Sequence, residues 1–410
     1  MSAPDRPLVI VGASHAGTQL AVRLRESGYA EPITLISDEP HFPYQRPPLS
    51  KTLMTGKATA DSLALRGPDY FKQHDVDLRL GAHVTSVNTE TRQIRLGDGP
   101  WIGYDKLVLA TGARARILSA PGVDLDGVHS LRTLNDATRL SAALEHASRV
   151  CVVGGGFIGL ELASAIAQRG LSVTVLESQP RLLARSLPPL MSDYLMQLHR
   201  AHGVDIRLDC QVQAIQGAMG AVQAVALSEG DPLPCDLVIQ GVGVIPNTEL
   251  AAQAGVACEN GILVDGCGRT DKPDIYAIGD VANMALPAFP GGPSRARLES
   301  VQAANDGARA LASLLIGSPQ PFTGIPWFWS DQYDIKLQMA GLAMTGDDIV
   351  VRGDMQTRRF SVFYLRDHRI AACHSVNRPA DHIQSRKLIQ AGQRVDRALL
   401  ANPDIELKHL

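Results

Sequence analysis

Two stretches of this 410-residue sequence combine residue types and spacings suited to holding a pyrophosphate. The first runs Gly12-Ala13-Ser14-His15-Ala16-Gly17. It follows the short apolar run from Pro7 to Val11 and leads into a helical pattern through Leu20, Ala21 and Leu24. Strand, tight turn and helix in that order aim backbone N–H groups and the positive end of a helix at one point, and glycine permits close approach. The second stretch, Gly154-Gly155-Gly156-Phe157-Ile158-Gly159, follows Val150 to Val153 and precedes Leu162, Ala165 and Ile166. It keeps all three glycines, whereas the first has Ser14 at the middle position. Each unit is followed by another strand that ends in acid: Ile33 to Ile36 before Asp38, and Val173 to Leu176 before Glu177. Glu177 lies at roughly the 20-residue spacing of a ribose-binding carboxylate, and both acids suit an adenosine ribose. A carboxylate there welcomes a free 2′-hydroxyl and repels a 2′-phosphate, which favours NADH over NADPH. Ser178, Gln179 and Pro180 come next, and Arg181 is the nearest cation.

These turns must be carried by parallel sheets with crossing helices, so the expected class is α/β with two dinucleotide-binding units. Length agrees, since at about 150 residues per domain the chain divides into two or three. Hydrophobic residues are 45% and charged residues 20%, a globular balance. The 39 Lys and Arg against 42 Asp and Glu leave a net charge of −3, which excludes a global field for nucleic acid or membrane. No apolar run is long enough to span a bilayer and no leader pattern opens the sequence, so a cytoplasmic protein is expected. Six scattered cysteines form no Cys-x-x-Cys pair and are expected to be small, mostly buried hydrophobes. His199 and His202, three apart on an expected helix, lack a third ligand for a metal and are expected at a solvent-facing helix end. No metal site is expected. From Phe322 onward, runs such as Ile349-Val350-Val351 and Phe360 to Leu365 alternate with Gly and Asp turns, reading as an antiparallel sheet, with a helix over it near Asp381 to Ala391.

Two further segments specify the first dinucleotide. Leu107-Val108-Leu109-Ala110-Thr111-Gly112 is a buried strand ending in a small-residue turn. Thr270 to Asp280 matches the second FAD motif of the glutathione-reductase-like flavoproteins. Within that superfamily the sequence resembles the oxygenase-coupled, NADH-dependent ferredoxin reductases over nearly its whole length. The stretches that carry the resemblance are Arg46 to Lys51, Leu131 to Leu134, Gly156 to Glu161, Gly241 to Asn247, Glu299 to Val301 and Trp327 to Gln332.

The resemblance implies a discontinuous FAD domain (1–113 and 246–321), an inserted NAD domain (114–245) and a C-terminal α+β domain (322–410). It implies hydride transfer from NADH to non-covalently bound FAD, then two single-electron transfers to a two-iron two-sulfur ferredoxin. That ferredoxin would feed a haem monooxygenase or a ring-hydroxylating dioxygenase. The protein would be a monomer or weak dimer. Implied FAD-binding residues are Gly12, Ser14, Ala16, Gly17, Asp38, Arg46, Lys51, Val84, Ala110, Thr111, Gly112, Arg132, Gly279, Asp280, Glu299, Ser300, Val301 and Trp329. Asp280 is implied to bind the ribityl chain. Implied NAD-binding residues are Gly154, Gly156, Phe157, Ile158, Gly159, Glu161, Glu177, Val242 and Gly243. Lys51 and Glu161 are implied to meet beside the flavin, the cation steadying the reduced ring and Glu161 yielding when nicotinamide stacks. Trp329 is implied to border the ferredoxin site, whereas Trp327 reads as a core aromatic. Disulfide reductases and NADH peroxidases, which use a cysteine beside the flavin, fit poorly because none occurs before Cys151. Rubredoxin reductases, and apoptosis-inducing-factor-like binding proteins, remain as alternatives.

Overall fold

The computed structural model describes residues 6–286 and 293–410; the first five residues, where no leader is expected, lie outside it. Two five-stranded parallel sheets share one plan. The first orders Ile275–Ala277, Lys106–Leu109, Leu8–Val11, Ile33–Ile36 and Val76–Arg79. The second orders Asp205–Arg207, Ser172–Leu176, Arg149–Val153, Leu237–Gln240 and Val128–Ser130. In each, the strand that enters a glycine turn is central and buried on both faces, which is why it reads as a continuous apolar run. The turn then opens a helix, His15–Glu26 in the first unit and Phe157–Ala167 in the second. Helix Val301–Leu315 lies beside His15–Glu26 over the first sheet, where Leu20 and Leu24 share a core with Ala304, Ala308 and Leu311.

The turns demand glycine. Gly12 and Gly154 both have φ +111°, and a Cβ on either would lie 2.1 Å from the Ala110 carbonyl oxygen or 2.4 Å from that of Gly241. The chain crosses between the sheets on a two-stranded antiparallel ribbon, Ala113–Ala115 with Val244–Pro246.

The expected C-terminal sheet is present, with strand order Trp327–Gln332, Ile335–Gly341, Arg369–Val376, Arg359–Arg366 and Asp348–Asp354, all antiparallel. Helix Pro379–Ala391 covers one face and ends at Gly392 in the left-handed region. Arg352, fully buried, ties the chain end to this sheet by donating to the carbonyls of Leu400 at 3.2 Å and Ile405 at 2.6 Å. Leu49 and Met54, Leu160 and Ile166 of the second unit, and Leu337 and Phe360 of the C-terminal sheet share one apolar cluster. All three parts of the molecule therefore meet at one place. No helix among the described residues is long and apolar enough to cross a membrane.

Candidate functional site

Around the first turn, side chains arrive from distant segments. Arg46 donates to Ser14 Oγ at 3.0 Å and to the Arg132 carbonyl at 2.6 Å, and its other nitrogen pairs with Glu39. Tyr44 donates to Glu39 at 2.5 Å and accepts from the Leu134 N–H at 2.9 Å. Arg132 pairs with Asp280 at 2.8 Å, and Gly279, at φ +76°, approaches so closely that a Cβ would lie 2.8 Å from that of Ala16. Asn247 locks the Ala110-Thr111-Gly112 turn, donating to the Thr111 carbonyl at 2.8 Å and accepting from its hydroxyl at 2.7 Å through the main chain. Ser300 caps helix Val301–Leu315 by accepting from the Ala303 N–H at 3.0 Å, and Glu299 pairs with Arg297. Val84 is buried in the core at the start of a strand.

This arrangement fits FAD. Two positive-φ glycines bring backbone to a helix N-terminus, the arrangement a pyrophosphate needs, and a guanidinium atom, Arg132 Nε, is buried without a hydrogen-bond partner among the described residues. Burial, helped by the Arg46 and Arg132 charges, pulls the pKa of His15 down to about 4, so its ring adds no charge at neutral pH.

Asp38 does not occupy the position equivalent to Glu177. Gly12 N–H meets the Ile36 carbonyl and Gly154 N–H that of Leu176, both at 2.8 Å, which aligns Glu177 with Ser37. Asp38 is exposed one residue further on. Glu177 itself accepts from the Gly155 N–H at 2.7 Å and the Gln179 N–H at 2.9 Å. Arg181 is turned away, donating to Ser192 at 2.9 Å and to the Ala184 carbonyl at 2.6 Å. Besides Glu177, Leu182 packs against Gly155, and the rest of the mouth is open. A Cβ on Gly156 would find its nearest neighbour 4.0 Å away, Ile158 is 45% exposed, and Val242 and Gly243 form the opposite rim, where a Cβ on Gly243 would lie 3.7 Å from the Arg185 guanidinium.

Lys51 and Glu161, 110 residues apart in sequence, are brought together at 2.7 Å. Lys51 ends the short helical turn Pro47–Ser50, and Glu161 sits mid-helix with its side chain 1% exposed. Ser50 donates to the same carboxylate at 2.6 Å and Ser330 to its other oxygen at 2.6 Å. The match between helix and strand is geometric: four residues of helix rise about 6 Å and two of strand about 6.7 Å. Phe157 thus meets Phe328, with ring centroids 4.9 Å apart, and one step on Glu161 meets Ser330. Strand alternation turns Trp327 and Trp329 to the opposite face. Trp327 is half-buried against His382 and under Arg386, and Trp329 is half-buried beside it with centroids 5.7 Å apart.

One of the two histidines departs from expectation. His202 is exposed and stacks on Tyr333, but His199 is fully buried, bonded to Gln332 at 2.8 Å and Tyr333 at 3.1 Å. The C-terminal sheet covers that end of helix Pro189–Ala201, which sequence spacing does not reveal. Both ring nitrogens are occupied, and the described residues hold no cluster of His, Cys, Asp and Glu suited to a metal.

Paired phosphate turns on two parallel sheets, with a lysine paired to a buried glutamate where they meet, define a two-dinucleotide oxidoreductase. Residues 6–308 match the pyridine nucleotide-disulphide oxidoreductase family and residues 327–410 the reductase C-terminal family. The chain is similar to rhodocoxin reductase of Rhodococcus erythropolis, 44% identical over 98% of this chain and 93% of that protein. Its structure is similar to the ferredoxin reductase for the CYP199A2 system from Rhodopseudomonas palustris (41% identity, 98% and 99% of the two chains covered, TM-score 0.95). It is equally similar to the reductase of the covalent putidaredoxin reductase–putidaredoxin complex (40% identity, 99% and 98% covered, TM-score 0.95). The chain belongs to the pyridine nucleotide-disulphide oxidoreductases and, among them, to the ferredoxin reductases of oxygenase systems.

Proposed function

We propose that this protein passes electrons from NADH, through FAD, to a two-iron two-sulfur ferredoxin that feeds an oxygenase. The observation that carries the reading is the pairing of Lys51 with the buried Glu161, where the first turn's surroundings, the second unit's helix and the C-terminal sheet converge. Bound FAD supplies the conversion of a two-electron hydride into single electrons. The chain's residues do the rest. Residues 1–113 and 246–321 are assigned to FAD, 114–245 to NADH and 322–410 to the third domain. The ribbon of Ala113–Ala115 and Val244–Pro246 supports these divisions.

Gly12, Ala16 and Gly17 present the backbone to the pyrophosphate, with Ser14 steered by Arg46, while Ala110, Thr111 and Gly112 wall the same side. Arg132 and Asp280 hold the ribityl and flavin end, and Ser300 and Val301 offer a helix N-terminus to it. Lys51 places a cation for the reduced ring. Gly154, Gly156 and Gly159 receive the second pyrophosphate, and Phe157 and Ile158 floor the nicotinamide approach. Glu177 takes the ribose, and Arg181, the nearest cation in sequence, is held back by Ser192 and Ala184. All six cysteines are unpaired, which supports a reducing compartment, the cytoplasm.

Trp329 tests the partner. At an exit for electrons, Trp329→Ala lowers ferredoxin kcat/KM about five- to thirtyfold, the loss of one central aromatic contact. Ferricyanide needs no docked interface, and its rate stays within twofold. Equal slowing of both acceptors, together with slowed flavin reduction in stopped flow, places Trp329 on the hydride side instead and removes it from docking.

A further inference from the structure

The two oxygens of the Glu161 carboxylate are held differently. Oε2 accepts from Ser50 at 2.6 Å and Lys51 at 2.7 Å. Oε1 accepts from Ser330 at 2.6 Å, and a buried line of polar groups stands behind it. Gln332 Nε2 donates to Ser330 Oγ at 3.0 Å. His199 Nε2 lies 2.8 Å from Gln332 Oε1, and Tyr333 Oη lies 3.1 Å from His199 Nδ1. Ser330 and His199 have no measurable exposure and Gln332 has 1%.

A carboxylate only accepts, and that fixes the direction of every bond in the line. Ser330 gives its proton to Glu161, so its oxygen accepts from the Gln332 amide. The amide oxygen then accepts from His199 Nε2–H, and Nδ1 accepts from the Tyr333 hydroxyl. The histidine tautomer follows from this network. Burial supplies the neutral ring the network requires, pulling the His199 pKa to about 4, and burial likewise raises that of Tyr333, keeping its proton. A side-chain amide does not relay protons, so Gln332 makes this a row of fixed dipoles aimed at Glu161.

We propose that Ser330, Gln332 and His199 are positioning residues that make Glu161 the fixed member of the ion pair and Lys51 the mobile one. If the Lys51 contact breaks, the carboxylate keeps hydroxyl donors on both oxygens, one from the Pro47–Ser50 turn and one from the C-terminal sheet. Glu161 is also anchored mid-helix and almost wholly buried. Among the described residues Lys51 has only a 3.5 Å contact with the Pro47 carbonyl besides Glu161, on a four-carbon stem whose side chain is 14% exposed. The cation is free to swing toward new negative charge at the cofactor while Glu161 stays behind. This reverses the expectation that Glu161 yields, and it rests on the proposed place of Lys51 beside the flavin.

The test measures the two-electron potential of bound FAD by redox titration, and the melting temperature of the FAD-free protein, in Ser330→Ala, Gln332→Leu, His199→Leu, His199→Gln, Lys51→Met and the Ser330→Ala/Lys51→Met double variant. With the row broken, Glu161 follows Lys51 and screens it. Ser330→Ala and Gln332→Leu therefore lower the potential by the equivalent of about three- to tenfold in the reduction equilibrium, one buried hydrogen bond's worth. His199→Leu does the same, and His199→Gln, which restores a donor toward Gln332, recovers most of it. In the Lys51→Met background Ser330→Ala has no further effect, because the row acts only through the lysine. Additive shifts in the double variant overturn the proposal. So does an unchanged potential in Ser330→Ala with a lowered melting temperature, which reduces the row to domain glue. An unchanged potential in Lys51→Met overturns the place given to Lys51 as well, which separates the two failures.

Discussion

The two phosphate turns follow one backbone plan yet differ in what surrounds them. Both glycines have the same φ, and both neighbouring strands feed the turn through equivalent 2.8 Å bonds. Around the first, Ser14, Arg46, Arg132 and Asp280 converge from four separate segments and tie one another. Around the second, Glu177 and Leu182 back Gly155, Arg185 reaches Gly243, and the mouth is otherwise backbone glycine and an exposed isoleucine. Even the residue opening each helix differs, His15 in one and Phe157 in the other. On the proposed assignment the difference is one of residence. A ligand walled in by side chains tied to one another from across the chain stays, whereas one that meets mostly backbone and side chains from neighbouring segments comes and goes at every turnover.

The largest expected effect is at the glycines. Gly12→Ala meets both a left-handed φ and a backbone clash, and should cost several kcal/mol and yield colourless, FAD-free protein. Gly154→Ala carries a similar local strain but should stay yellow while losing reduction by NADH. If both variants keep FAD, or both lose it, the contrast in residence fails. Next is acid stability of the FAD-free protein. The folded-state pKa of His15, about 4, lies below its ordinary value near 6.5. Between those pH values only the unfolded chain binds the proton, so stability is full above about 6.5 and falls as pH drops toward 4, by roughly 1–3 kcal/mol. His15→Phe, which copies the second turn, should flatten that fall in denaturant titrations at pH 4.5 and 7; an unchanged slope removes His15 from the account. The smallest is selectivity. NADH should be preferred over NADPH by at least about tenfold in kcat/KM, or about 1.4 kcal/mol, and Glu177→Ala should narrow the gap. Equal values in the parent protein would break the reading of Glu177.

What could be read from sequence was what local spacing fixes. The turns Gly12 to Gly17 and Gly154 to Gly159 are contiguous, and a buried parallel strand before each shows as an unbroken apolar run. The C-terminal sheet and its helix were legible for the same reason. Lys51 with Glu161 was reachable only through resemblance, because the two lie far apart in sequence and no periodicity joins them. The partners of Glu161 were missed. Ser330 and Gln332 fell within a stretch singled out for its tryptophans, and the one signal was polar residues alternating on a strand face otherwise apolar at Phe328. His199 was misplaced because the buried stripe of its helix, Met191, Ser192, Leu195, Leu198 and His199, contains two polar members and reads narrower than it is. Glu39, the acceptor of Arg46, was passed over for Asp38 next to it.

The ribbon that carries the chain out of the first sheet and back also sets an order of events during synthesis. Lys106–Leu109 is complete when the ribosome has made about a quarter of the protein, but its partner Ile275–Ala277 emerges only after the whole second sheet. At about 5–20 residues per second, that leaves one edge of the first sheet open for roughly 8 to 35 seconds. The second unit, whose strands all fall between Val128 and Gln240, can close in that interval. The nascent chain therefore finishes its later-coded half before its earlier one, and the bare edge of Lys106–Leu109 is where a chaperone or a neighbouring nascent chain would first find purchase.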